Sequence, residues 1–180
     1  MNLTFGVYRN CLISLLLACA AWGQTPTVFL AGDSTAADGN PDAIGWGKPL
    51  PKYFDASRIR IANRARGGRS SRTFITEGLW AKLLEGVQPN DYVLIQFGHN
   101  DGGPIDEAPR RGSVPGLGEQ TPGDIHTYGW YMRTMIRETR EKGATPILFS
   151  LTVRNIWKVG FRCSTATMRW GNPQWSRFCR

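Results

Sequence analysis

The stretch "VFLAGDSTAADG", residues 28–39, decides how the rest of the chain reads. A short apolar run, "TVFLA" (27–31), ends abruptly on Gly-Asp-Ser-Thr, the pattern of a strand buried on both faces and followed at once by a turn. Ser34 stands between an acid and a threonine where that strand must stop. Alone, the pattern has two readings. The hydroxyl caps a following helix, or it is a nucleophile that needs a neighbouring base.

Outward from this point the chain alternates strand-like and helix-like segments. "GWGKPLPKYF" (45–54) predicts a short helix interrupted by Pro49 and Pro51, and "RIRIAN" (58–63) has the period of a strand. "SRTFITEGLWAKLLEG" (71–86) predicts one helix, and "DYVLIQFG" (91–98) a strand entered through the turn residues Pro89-Asn90-Asp91. Residues 101–124 hold ten Gly or Pro among 24 and predict one long surface loop, the kind that is functional or disordered. "IHTYGWYMRTMIRETREKG" then places Tyr128, Met132, Met135 and Thr139 on one helical face, with Gly143 closing the helix, and "TPILFSL" (145–151) predicts another strand. This β-α-β-α-β-α-β order implies an open parallel sheet with helices on both faces. Ligands bind such sheets beyond the carboxyl ends of the strands. Ser34, the "GGRS" turn and "GHND" all follow strands, so three polar turns converge on one edge.

The ends of the chain differ from this body. Arg9 followed by "CLISLLLACAAWGQTP" has the order of a secretory leader, with cleavage expected after Gly23. Its apolar run is too short for a membrane span, which needs roughly twenty residues. A lipoprotein anchored through Cys19 is the alternative, although Leu17 suits it poorly. The formal charge of +8 suggests nucleic acid, yet residues 24–157 hold 16 Lys plus Arg against 14 Asp plus Glu. The excess lies in residues 158–180, which have five basic groups and no acid, so no nucleic-acid partner is expected. That tail has no apolar period, and Cys163 and Cys179 are free to pair in an oxidising compartment. No histidine lies near a cysteine pair, and neither metal nor cofactor is expected.

The ordered blocks "LAGDST", "NRARGGRSSRTF" and "VLIQFGHNDGG" resemble those of the SGNH (GDSL-type) hydrolases. "GGRSSRTF" and "FGHNDGG" are similar to the rhamnogalacturonan acetylesterase branch, which removes acetyl groups from pectin backbones. The resemblance covers roughly residues 27 to 157. It implies a flavodoxin-like three-layer α/β/α fold with a parallel sheet of order 2-1-3-4-5. It also implies a serine esterase in which Ser34 is the nucleophile, while Gly68, Asn100 and the Ser34 N–H form the oxyanion hole. The implied partner is an acetylated, pectin-type polysaccharide, met by a secreted monomer. Of six arginines from Arg58 to Arg72, Arg69, inside the shared motif, is the only one expected near the site; binding uronate carboxylates and bracing the turn are equal alternatives for it.

The pattern breaks where the base should be. The family's Asp-x-x-His lies beyond the fourth strand, yet no Asp or Glu follows Glu141. His99 sits inside the asparagine block, and His126 is preceded at minus three by Gly123, so the catalytic Asp and His are absent from this chain. The expected organisation is a leader (1–23), an SGNH domain (24–157) lacking its fifth strand and final helix, and an anomalous tail (158–180) read out of frame. Such a chain is expected to be inactive or nearly so. The rival reading is a non-catalytic carbohydrate-binding or non-functional fragment, with Trp46, Trp130 and Trp157 as stacking platforms or core residues.

Overall fold

The structure, a computed structural model, describes residues 24–119 and 124–152, together with the backbone of two short strands near the C-terminus. The expected leader, with Cys19, lies outside the described residues, as do most of the tail, the side chain of Trp157 and the Cys163–Cys179 pair.

Four parallel strands form the sheet: β1 (Thr27–Gly32), β2 (Arg60–Asn63), β3 (Tyr92–Gln96) and β4 (Thr145–Leu148), in the order β2-β1-β3-β4. In register, Val28 lies opposite Ile61 on one side and Tyr92 on the other, and Leu94 lies opposite Ile147. This is the expected order as far as its fourth strand. Parallel crossovers are right-handed, and that rule sets the layers. The connections β2→β3 and β3→β4 run the same way across the sheet and so share a face; β1→β2 runs the opposite way and takes the other.

The shared face holds every helix among the described residues: α1 (Ser71–Thr76), α2 (Leu79–Gly86) and α3 (Tyr128–Glu141). Phe29 and Ala31 of β1, with Val93 and Ile95 of β3, meet Phe74, Trp80, Leu83, Met132 and Met135 there. Large apolar side chains buried this completely contribute about 1.5–3 kcal/mol each. The alternate residues Val28, Leu30 and Leu94, with Ile61 of β2 beside them, face the other way, under Trp46, Leu50 and Ile59. Among the described residues that second cover is the 37–59 segment with one 3-10 turn, Leu50–Tyr53, where the prolines allow nothing longer.

Two expectations need correction. The single helix over 71–86 is two, because Gly78 adopts φ 75° and ends the first. The apolar spacing does not register the break, since Phe74 and Leu83 still reach the core and Leu79 and Leu84 pack against it. The 101–124 loop is also more than surface: Asp101 and Ser113 are buried. Past β4, strands β5 (Ile156–Lys158) and β6 (Phe161–Cys163) pair antiparallel as a separate sheet, in a tail without apolar periodicity. Strand β4 therefore edges the main sheet, and Ile147, Leu148 and Phe149 are 39, 48 and 44 % exposed.

Candidate active site

The Gly-Asp-Ser-Thr turn shows why an acid and a threonine flank the serine. Asp33 is fully buried, and its Oδ1 accepts both the Thr35 N–H and the Thr35 hydroxyl at 2.8 Å. Its carbonyl accepts the N–H groups of Ala36 and Ala37, so the chain turns directly after β1. The Thr35 hydroxyl lies 3.1 Å from Gln96 Oε1 at the end of β3, and Trp46 Nε1 donates to the same oxygen at 2.7 Å. Acid and threonine thus lock the turn inward, and Ser34 between them is left exposed. Its hydroxyl makes no hydrogen bond among the described residues, and no regular helix begins there, so it is not a cap.

The second turn lies against the first. A side chain added at Gly67 would come 3.7 Å from Ser34 Cβ. Next to it Gly68 adopts φ +77°, a left-handed conformation that glycine takes without strain. Asn100, after β3, donates from Nδ2 to the Arg69 carbonyl at 2.9 Å, which orients the carboxamide beside this turn. The three residues singled out by their motifs therefore come together at the carboxyl edge, where β1 and β3 are neighbours and the crossover direction changes. Arg69 takes the bracing alternative: its Nε donates to Glu77 Oε2 at 2.9 Å and its Nη1 to the Gly67 carbonyl at 3.2 Å.

Behind the turns lies a buried carboxylate. Asp101 accepts the Ser71 N–H at 3.1 Å, the Ser71 hydroxyl in a very short hydrogen bond, and the Ser113 hydroxyl at 3.0 Å. It thereby ties the first turn of α1 to the middle of the long loop. Burial pushes its carboxyl above the ordinary range, against the pull of the Ser71 and Ser113 bonds, and the neighbouring Asp33 adds to the rise. Tyr128, also pushed up to about 12 by burial and by Asp101, stays protonated and donates to the Phe97 carbonyl at 3.0 Å.

Neither histidine is bonded to Ser34. His99 Nε2 lies 3.3 Å from Thr152 Oγ1, and the His126 ring stacks on Trp130 at 3.7 Å between centroids. Among the described residues no group of three His, Cys, Asp or Glu is placed to hold a metal ion, and no helix is long and apolar enough to cross a membrane.

One residue at the site was missed from the sequence. Arg111 reaches back from the long loop, and a Cβ on Gly68 would lie 3.7 Å from its Nη1. Nothing in the spacing of "PRRG" distinguishes it from Arg110, whose Nε instead bonds the Asp106 carbonyl.

A model of the family described as GDSL-like Lipase/Acylhydrolase matches residues 28–169, and the chain belongs to that family. Among its relatives, rhamnogalacturonan acetylesterase of Emericella nidulans is 36 % identical over 83 % of this chain and 61 % of its own length. Rhamnogalacturonan acetylesterase RhgT of Bacillus subtilis is 35 % identical over 71 % of this chain and 49 % of its own. The chain thus spans about half to three-fifths of the length of these two relatives. The crystal structure of Bacillus subtilis protein YxiM superposes with a TM-score of 0.54 at 30 % identity, covering 69 % of this chain and 32 % of that one.

Proposed function

We propose that the edge formed by Ser34, Gly68 and Asn100 is the acyl-transfer site of a carbohydrate O-acetylesterase acting on acetylated, rhamnogalacturonan-type pectin. The observation that carries this reading is the convergence of the Ser34 turn, the Gly67–Gly68 turn and Asn100 in a member of this hydrolase family. The names of its relatives supply the substrate class. Ser34 attacks the acetyl carbonyl, and the electron pair displaced onto oxygen is held by the N–H groups of Ser34 and Gly68 and by the Asn100 carboxamide. Each such donor is worth roughly 10²–10³ in rate when aimed at the tetrahedral intermediate. The first Asn100 N–H is committed to Arg69, which leaves the second for the oxyanion. Secretion through the leader would bring the chain to its polymer substrate.

The proton of Ser34 needs an acceptor, and residues 142–180 contain no Asp, Glu or His to supply an Asp-x-x-His. Without that base the 180-residue chain is expected to turn acetylated substrate over at a small fraction of an esterase's rate. Loss of the base from a serine-hydrolase triad costs roughly 10⁶ in turnover. With p-nitrophenyl acetate the purified chain is expected to match its Ser34→Ala variant. Ordinary esterase rates that vanish in Ser34→Ala would show that another group serves as base. The rival reading is a non-catalytic carbohydrate-binding fragment with tryptophan platforms. Of its tryptophans, Trp46 is half-buried against Val28, Leu30 and Leu94 with its indole bonded to Gln96, and Trp130 is half-buried and stacks one face on His126.

A further inference from the structure

Arg111 owes its position to a loop built around close backbone approaches. Gly112 N–H donates to the Pro104 carbonyl at 2.8 Å, and a side chain at Gly112 would strike the Gly103 carbonyl at 2.2 Å. From α1, Arg72 Nη1 donates to the Gly112 carbonyl at 2.9 Å and the Ile105 carbonyl at 3.3 Å. Ser113 N–H closes the loop on the Asp101 carbonyl at 3.0 Å. These bonds hold the backbone of 111–113 on both sides and direct the Arg111 side chain across Gly103 toward Gly68.

Among the described residues the guanidinium that arrives there has no acceptor. Its Nε is buried without a hydrogen-bond partner, and among the described residues no carboxylate pairs with Arg111. Asp101 is engaged with Ser71 and Ser113, and Asp33, whose Oδ1 holds Thr35 while its Oδ2 is buried without a partner, forms no ion pair with Arg111. A buried, unpaired donor costs free energy unless a ligand supplies the acceptor. A guanidinium fork matches a carboxylate through two parallel bonds, which a lysine cannot reproduce.

We infer that Arg111 is a specificity residue: it binds the carboxylate of a uronate close to the acetylated carbon, so that the cleft prefers acidic over neutral acetylated glycans. This rests on the reading of the edge as an acetyl-ester site and adds to it what the adjoining sugar must carry. The substrate enters with its acetyl group over Ser34 and its carboxylate against the Arg111 fork. The loop serves as the recognition element, and Arg72 acts only as the staple that holds it.

Isothermal titration of the full 180-residue chain tests this with one acetylated rhamnogalacturonan oligosaccharide in two forms, free acid and methyl ester at galacturonate. The wild type is expected to bind the acid at least tenfold more tightly than the ester. Arg111→Gln should lose roughly ten- to a hundredfold for the acid and nothing for the ester. Arg111→Lys, which keeps the charge without the fork, should retain part of the preference. Equal binding of both forms by the wild type, or a preference that survives Arg111→Gln, overturns the role of Arg111 and leaves the cleft reading standing. Binding of neither form overturns the cleft reading and this inference with it. If Arg111→Gln does not fold, as judged by its circular dichroism melt, Arg111→Lys and the salt dependence of the wild type decide. Acid-form affinity that falls with salt while ester-form affinity does not supports the ion pair, and parallel dependences overturn it.

Discussion

Asp33 and Ser34 are adjacent in the chain and opposite in environment, one fully buried and the other exposed. The acid makes the exposure possible, because its Oδ1 satisfies the Thr35 N–H and hydroxyl inside the turn. Asp33→Ala strands the Thr35 N–H, while the hydroxyl keeps Gln96 Oε1 as acceptor, and should cost about 1–3 kcal/mol in denaturant unfolding; an unchanged midpoint would remove the acid from this account. At Gly68 and Gly112 the same substitution tests different physics. Gly68→Ala meets nothing closer than Arg111 Nη1 at 3.7 Å, so only its φ of +77° matters, at about 1–2 kcal/mol. Gly112→Ala drives a Cβ into the Gly103 carbonyl and must displace the loop, so it should cost more than Gly68→Ala and abolish the preference for free acid. Ser34, Gly68 and Asn100 were legible in the sequence because each is embedded in a motif at a strand end. Arg111 was not, because its role depends on a loop path that no local period encodes.

Among the elements, the Asp101 cluster joins α1 to the long loop, and its pH dependence has a definite sign. The folded-state pKa is raised above the ordinary 3.8, so between these values the unfolded chain has already lost the proton that the folded chain retains. Stability from this group is greatest below the ordinary value, declines as pH rises through the raised one, and stays low above it. Asp101→Asn removes that decline. Its unfolding free energy should gain on the wild type as pH rises across the window, and curves that stay parallel from pH 4 to neutrality, about three units, would contradict the raised value. The strands were readable because apolar runs of five or six residues bounded by Gly and Pro have few alternatives. The break at Gly78 was not, since Phe74, Leu79, Leu83 and Leu84 read as near-helical spacing whether or not the backbone between them is continuous.

At the scale of the molecule, one face of the sheet has three helices and the other a thin cover, with an apolar edge at β4. Ile147, Leu148 and Phe149 leave that edge a template for further strand pairing. Leu148→Lys should raise the monomeric soluble fraction in size-exclusion chromatography without lowering the unfolding midpoint. A larger aggregate fraction would show that the edge is covered in solution. The parallel order followed from the alternation of elements, and the unequal covers follow from crossover handedness applied to that order. That the cover over Val28 and Leu30 is a proline-interrupted segment was visible in Pro49 and Pro51. The pairing of β5 with β6 was not, because the tail carries no apolar alternation to announce it.

The central claim is that one ligand touches three turns at once, and chemical-shift mapping on the isotope-labelled chain tests it most directly. Titration with acetylated rhamnogalacturonan oligosaccharide should move the backbone amides of Ser34 and Gly68 and the side-chain amide of Asn100 along a single saturation curve. Shifts confined to other surfaces, with those three resonances unmoved at saturation, would contradict it.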